Sequence, residues 1–180
     1  MELPRELGII PMLIIAGVIV GFIVKRFVGH EKVHGVSGIM EAVALAGGRL
    51  PYMKMPFKIL ASALSLGAGA SVGPEDPSVQ IGANLGSMVG HKLHLKEEHL
   101  TLLVAAGSAS AISAAFNAPI AGVFFALEVI LGEFSSRSFG VVVLAAVISS
   151  AFTQGVRGAN PIFGGLHFAL GNPTQLPLYA

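Results

Sequence analysis

The segment Leu66–Gly90, LGAGASVGPEDPSVQIGANLGSMVG, combines an acidic pair, two prolines and six glycines in an otherwise uncharged run. Glu75 and the only aspartate of the chain, Asp76, lie between two prolines in a run that carries no other charge. Because Pro74 and Pro77 rule out one continuous helix through the acidic pair, we expect two apolar helices to meet here. Irregular backbone at membrane depth is tolerated only where it is buried or lines a wet cavity, so the acids mark a candidate functional site.

The composition is typical of a membrane protein. Apolar residues make up 53% of the 180 residues and charged residues 12%, whereas a soluble domain averages about 25% charged residues. The mean hydropathy is +0.77. The formal net charge of +1 gives no support to nucleic-acid binding. The chain has no cysteine, which excludes disulfides and thiolate metal ligands.

Several apolar segments predict helices in a bilayer. Leu7–Val24 is uncharged over 18 residues and predicts a spanning helix. Pro77–Gly90 and Ser138–Phe152 predict further helices. Leu100–Leu131 is long and apolar, but Asn117–Pro119 interrupts it. Shortened and interrupted segments of this kind are typical of transporters with discontinuous helices.

Two segments do not fit a bundle of full membrane-spanning helices. Gly29–Ile39 predicts a polar, glycine-rich re-entry, and Met40–Ala46 is too short to cross a membrane.

Gly82, Gly86 and Gly90 recur every four residues, a spacing that indicates close helix packing rather than a ligand site.

Three motifs follow one another along the chain. The first is Val36–Met40 (VSGIM), the second is Gly73–Gly82 (GPEDPSVQIG), and the third is Phe116–Gly122 (FNAPIAG), followed by Glu128. In this order they resemble the CLC family of chloride channels and proton-coupled chloride transporters. The corresponding family signatures are G-S-G-I-P, G-(R/K)-E-G-P followed by V-Q-I-G, and F-N-A-P-(L/I)-A-G followed by a glutamate. The resemblance covers about residues 10–155.

The resemblance implies an all-α membrane fold with broken and re-entrant helices, built in the family from two inverted repeats. We interpret residues 1–180 as a single membrane domain that is the first repeat, the N-terminal half of a CLC-like pore, with residues 156–180 as a loop or tail. The second repeat of the family supplies a Gly-x-Phe-x-Pro loop and a tyrosine to the anion site. Neither is present, since Tyr52 and Tyr179 lie in other contexts, and we therefore expect a fragment of a longer protein.

Chloride inside a membrane needs partial positive charges, because a full opposite charge would trap it. Helix N-terminal amides and a hydroxyl donor supply such charges. The resemblance implies that the Ser37 hydroxyl and the amides of Gly38 and Ile39 bind the anion. The residues alone leave a second possibility, in which Ser37 is only a helix N-cap. Chloride is the expected ligand, and no cofactor is expected.

Glu75 heads the helix that follows the break, which makes it a candidate gate of the pore. A carboxylate there is favoured by the helix dipole and competes with an anion for the same amides. The alternative is a carboxylate that only caps its helix. Two residues depart from the family pattern, since Pro74 stands where the family has a basic residue and Asp76 where it has glycine. Asp76 is therefore a possible modulator of the outer anion site.

Proton-coupled members of the family often carry a second glutamate at the position of Val129, and its channels typically carry valine. Val129 therefore favours a voltage-gated-type chloride channel gated by the pore glutamate, with a proton/chloride antiporter as the alternative. The resemblance also implies a homodimer with a separate pore in each subunit. We expect a multi-pass protein of the cell membrane, and of a prokaryotic plasma membrane in particular.

Two functions from other classes stay open. His30–His34 (HEKVH) fits the H-E-x-x-H pattern, in which two histidines on one helical turn bind zinc and the glutamate acts as base. Gly29 and Gly35 bracket this motif, so the helix that an intramembrane zinc protease would need has little support. A non-conducting scaffold is the other possibility, in which Ser37 and Glu75 face lipid or packed protein. We expect neither a metal site nor an enzyme.

Overall fold

The computed structural model describes residues 5–29 and 35–158, and within these ranges every regular element is helical. The α-helices are α1 (Arg5–Ile23), α2 (Gly35–Leu45), α3 (Met55–Gly67), α4 (Glu75–Lys92), α5 (Glu97–Phe116), α6 (Pro119–Phe125) and α7 (Ser136–Arg157). Two π-helical turns, Val24–Val28 and Ala126–Leu131, continue α1 and α6, and a 3-10 turn, Tyr52–Lys54, precedes α3. The all-α class is confirmed. The His30–His34 motif and residues 159–180 of the expected loop or tail lie outside the described residues.

Among the described residues, three helical segments are long and apolar enough to cross a membrane. They are Ile10–Val28, Glu97–Phe116 and Ser136–Arg157. The spanning helix predicted over Leu7–Val24 is therefore confirmed. α2 and α3 have 11 and 13 residues, fewer than the roughly 20 that a perpendicular span needs. The structure thus combines full spans with shorter helices, as the interrupted apolar pattern predicts.

Both predicted breaks are present. The chain leaves the helical conformation after Gly67 and regains it at Glu75, which separates α3 from α4. α5 ends at Asn117, whose left-handed backbone (φ 54°) stops the helix, and Pro119 begins α6. Proline suits a first helical position, because its fixed φ is helical and its missing N–H would have no partner there.

Of the two predicted starts for the helix after the break, Glu75 is confirmed and Pro77 was wrong, because proline is tolerated within the first turn of a helix. The re-entry expected over Gly29–Ile39 is helical from Gly35 onward. The start of α2 has a hydrogen-bond partner 40 residues along the chain, which local sequence patterns do not reveal.

The closest helix packing joins α4 and α5 along a row of small residues, here called the glycine seam. A Cβ atom added to any of the three α4 glycines would overlap atoms of α5. The opposed residues are Gly82 with Gly107, Gly86 with Leu103, and Gly90 with Leu100. The close packing predicted from the four-residue spacing is confirmed.

A single hydrophobic core extends from this seam to the other helices. Fully buried side chains reach it from α2 (Ile39), α4 (Val79), α5 (Val104), the second π-helical turn (Leu127) and α7 (Val142). α2 packs both on α4 and on the π-helical turn that follows α6. The elements that carry the three sequence motifs therefore share one core.

Candidate functional site

The starts of α2 and α4 are joined by the side chain of Asp76, and we call this region the α2–α4 junction. The Val36 amide in the first turn of α2 donates a hydrogen bond of 2.8 Å to Asp76 Oδ1. Gln80 Nε2, one turn further along α4, donates a hydrogen bond of 2.7 Å to Asp76 Oδ2. Asp76 thus connects the motif around Ser37 to the motif around Glu75.

Gly35 makes this connection sterically possible. Its backbone has a positive φ of 71°, a conformation that glycine adopts without a steric penalty. A Cβ atom at this position would lie 2.6 Å from Asp76 Oδ1. A larger residue would therefore strain the backbone and push away the carboxylate that caps α2.

The three predicted anion ligands lie in the first turns of α2, and their exposure differs. Ser37 is exposed, Gly38 is half-buried, and Ile39 is 2% exposed with its side chain in the hydrophobic core. The first four amides of an α-helix have no partner within the helix and carry the positive end of its dipole, and in α2 these are the amides of Gly35 to Gly38, whereas Ile39 is the fifth residue. Ile39 anchors the turn, so that the polar atoms before it have a fixed position.

A cavity of about 320 Å³ lies beside the junction. Its lining includes Gly38 and Ile39 from α2, Lys58 from α3, and Gln80 and Asn84 from α4. Asn84 is 5% exposed and donates a hydrogen bond of 2.7 Å from Nδ2 to the carbonyl of Gln80. Gln80 thus links the two features, because it lines the cavity and also donates a hydrogen bond to Asp76.

Lys58 and Asn84 were missed by the sequence analysis. Lys58 is half-buried and places a positive charge on the cavity wall, opposite in sign to the acids of the junction. The signal for Lys58 was available, since it is the only charge in the apolar helix α3, and an ionisable residue within such a helix marks a functional site. No pattern in the sequence pointed to Asn84.

Glu75 is the first residue of α4 and is exposed. Its carboxylate lies back over Gly73, where a Cβ atom would collide with it. Among the described residues it has no hydrogen-bond donor, in contrast to the doubly bonded Asp76 beside it. The adjacent acids therefore have different environments, since Asp76 accepts two hydrogen bonds and Glu75 accepts none from the described residues.

Val129 lies in the π-helical turn Ala126–Leu131, which packs against α2, and is half-buried. The adjacent Glu128 is exposed. An isopropyl side chain cannot bind or release a proton, so Val129 itself cannot serve as a proton relay.

The fold and the junction define a helical membrane protein in which broken helices bring polar helix starts together. A sequence model described as voltage gated chloride channel matches residues 16–180. The chain belongs to this family, the CLC family, as the three motifs indicate.

The curated relatives include proteins named as channels and proteins named as exchangers. The chain is 34% identical over 138 residues to the putative chloride channel protein ClcB-like of Ralstonia nicotianae, covering 74% of this chain and 32% of that protein. It is 37% identical over 140 residues to chloride channel protein CLC-e of Arabidopsis thaliana, covering 73% and 20%. It is 31% identical over 173 residues to the H(+)/Cl(-) exchange transporter ClcA of Vibrio cholerae, covering 89% and 36%. The chain therefore spans about a third or less of these relatives.

A solved structure with the same fold is that of a slow cyanobacterial Cl⁻/H⁺ antiporter. It matches 96% of this chain and 42% of that chain, with a TM-score of 0.73 and 24% sequence identity. The CLC-like fold expected from the motifs is confirmed by this likeness.

Proposed function

We propose that the chain supplies the first half of a chloride pathway, in a voltage-gated-type chloride channel whose gate is Glu75. The α2–α4 junction is the observation that carries this proposal. There the hydrogen bond between Val36 and Asp76 brings the turn around Ser37 next to the helix start that bears Glu75. The Ralstonia and Arabidopsis relatives, which are named chloride channels, also support it.

In the proposed mechanism, the Ser37 hydroxyl and the amides of Gly38 and Ile39 bind chloride through partial charges. Such binding is strong enough to replace water and weak enough to let the ion leave. The ionised carboxylate of Glu75 competes with chloride for helix-start amides and closes the path. Protonation of Glu75, or its displacement by chloride, opens the path. No chemical bond is made or broken, so the activity is transport rather than catalysis.

By the complete protein we mean the polypeptide that contains this chain together with a second repeat. We propose that it is a homodimer in a prokaryotic plasma membrane, with chloride as its ligand and no cofactor. The exposed apolar side chains on α1 and α7 support contact with lipid, with the second repeat or with another subunit. Among them are Ile14, Val18, Phe22, Leu144, Ile148 and Phe152.

The anion site is tested by Ser37→Ala in the complete protein. Loss of one hydroxyl donor to a charged ligand costs about 1.5–3 kcal/mol, so we expect chloride affinity in calorimetry to fall by roughly tenfold to a hundredfold. Ser136→Ala, at an exposed serine in the first turn of α7, is the matched control. An unchanged chloride affinity in a folded Ser37→Ala protein would remove Ser37 from the proposed anion site.

A proton/chloride antiporter is the second candidate. The similarity to the exchange transporter ClcA of Vibrio cholerae favours it. Val129 disfavours it, because valine cannot carry a proton. A chloride gradient across vesicles that hold the complete protein separates the two. A channel should move chloride without driving protons uphill, as followed by a pH electrode outside the vesicles. Steady proton pumping at a fixed ratio to chloride would establish the antiporter.

A further inference from the structure

Asp76 occupies part of the helix start at which chloride is proposed to bind. Its Oδ1 accepts the Val36 amide, one residue before Ser37, and its Oδ2 accepts the side-chain amide of Gln80. Gly35 leaves just enough room for this carboxylate. The side chain of Asp76 is therefore a tethered anion that extends from α4 and is held at the first turn of α2.

A carboxylate and chloride compete for the same features of a helix start. Both are stabilised by the unpaired amides and by the positive end of the dipole. A negative charge held at Val36 uses one amide and repels a second anion bound at Ser37. Like charges a few ångströms apart in a partly buried site repel strongly enough to change an affinity by about tenfold.

We propose that Asp76 sets the strength of anion binding at α2, as a built-in competitor that lowers the affinity for free chloride. This inference rests on the proposed function, since it concerns the same anion site. A weakened site releases its ion quickly, which suits conduction because an ion that binds too tightly blocks its own path. Asp76 thereby has two effects, since its hydrogen bond positions α2 and its charge limits anion occupancy.

The two effects can be separated by variants of Asp76 in the complete protein. Asp76→Asn retains an oxygen that can accept the Val36 amide and removes the charge. Asp76→Ser is a second neutral variant, whose hydroxyl lies one bond closer to the backbone than the carboxylate oxygens of Asp76. Glu133→Gln removes one negative charge from an exposed residue before α7 and is the matched control.

The measurement is chloride affinity by calorimetry, with amide hydrogen exchange at Val36 as a report on the cap. We expect both neutral variants to bind chloride about tenfold more tightly, while Glu133→Gln binds as the parent does. Retained protection of the Val36 amide would show that the gain comes from the charge and not from a displaced helix.

The parallel result for Ser37→Ala distinguishes the two proposals. If Ser37→Ala weakens binding while Asp76→Asn and Asp76→Ser leave it unchanged or weaker, then Asp76 is a structural cap and this inference is overturned, whereas the anion site stands. If none of the three variants changes chloride affinity, the proposed anion site fails, and the role of Asp76 fails with it.

Discussion

The glycine seam and the α2–α4 junction are both built on α4, and they use opposite physical means. Along the seam, Gly82 and Gly107 bring two helix backbones so close that neither position has room for a methyl group. At the junction, a carboxylate bridges two helix starts beside a cavity of about 320 Å³. α4 thus packs closely against α5 at its middle and carries a polar site beside a cavity at its beginning.

This difference suits the proposed function, in which a site is held in place while Glu75 moves as a gate. Close packing of small residues is the usual means of helix association in a bilayer, where the hydrophobic effect between helices is absent. Polar helix starts keep their capacity to bind an anion only if they are not fully paired. We therefore expect substitutions in the seam to affect folding, and substitutions in the junction to affect binding and flux.

The largest expected effect is the complete loss of transport when residues 1–180 are reconstituted alone. An apolar groove of about 810 Å³, lined by α4, α5 and α7, includes Leu85, Val89 and Phe152. These side chains are exposed. A pore framed by two repeats cannot close with one. Chloride flux from vesicles that hold only this chain would contradict the view that the junction is half of a pathway.

Gly82→Ala should destabilise the complete protein by about 3 kcal/mol. The added methyl would overlap the backbone of Gly107, so the two helices would have to separate. Thermal unfolding in detergent measures the effect. Gly140→Ala is the matched control, because a Cβ atom at Gly140 on α7 meets nothing within 4 Å. Equal stability of the two variants would mean that the seam is looser than described.

Ser87→Ala should have a smaller effect, a loss of about 2 kcal/mol. Ser87 is fully buried on α4, where its Oγ accepts the Leu50 amide at 3.0 Å and donates to the Gly48 carbonyl at 2.8 Å. Removing the hydroxyl leaves two backbone groups without this partner, and at the lower end of the cost of about 1–3 kcal/mol for each buried unpaired group the loss adds to about 2 kcal/mol. The same unfolding measurement applies, with Ser136→Ala as control. A stability equal to that of the control would show that water replaces the hydroxyl.

The seam could be predicted from the sequence and the junction only in part. Glycines at every fourth position report a local periodicity, and helix packing follows directly from it. Pro74, Pro77 and Asn117 likewise report helix ends through backbone restrictions that act locally. These signals were sufficient for both breaks, whereas the all-α class was predicted from the apolar segments and from the family resemblance.

The junction depends on a hydrogen bond between residues 40 positions apart. The sequence marked Asp76 as an extra charge beside Glu75, but it did not reveal that the carboxylate turns toward α2 and caps it. For the same reason the start of α2 at Gly35 was missed, since that start is stabilised from another helix. Asn84 belongs to the cavity only because α2, α3 and α4 converge there.

Chloride flux through Glu75→Gln, in vesicles that hold the complete protein at neutral pH, is the decisive measurement for the gate. Glutamine has the shape of the protonated acid and no charge, so it should not compete with chloride for helix-start amides. We predict a higher flux than in the parent protein, and a parent-like flux in the Glu133→Gln control. An unchanged flux in a folded Glu75→Gln protein would contradict the gating role of Glu75.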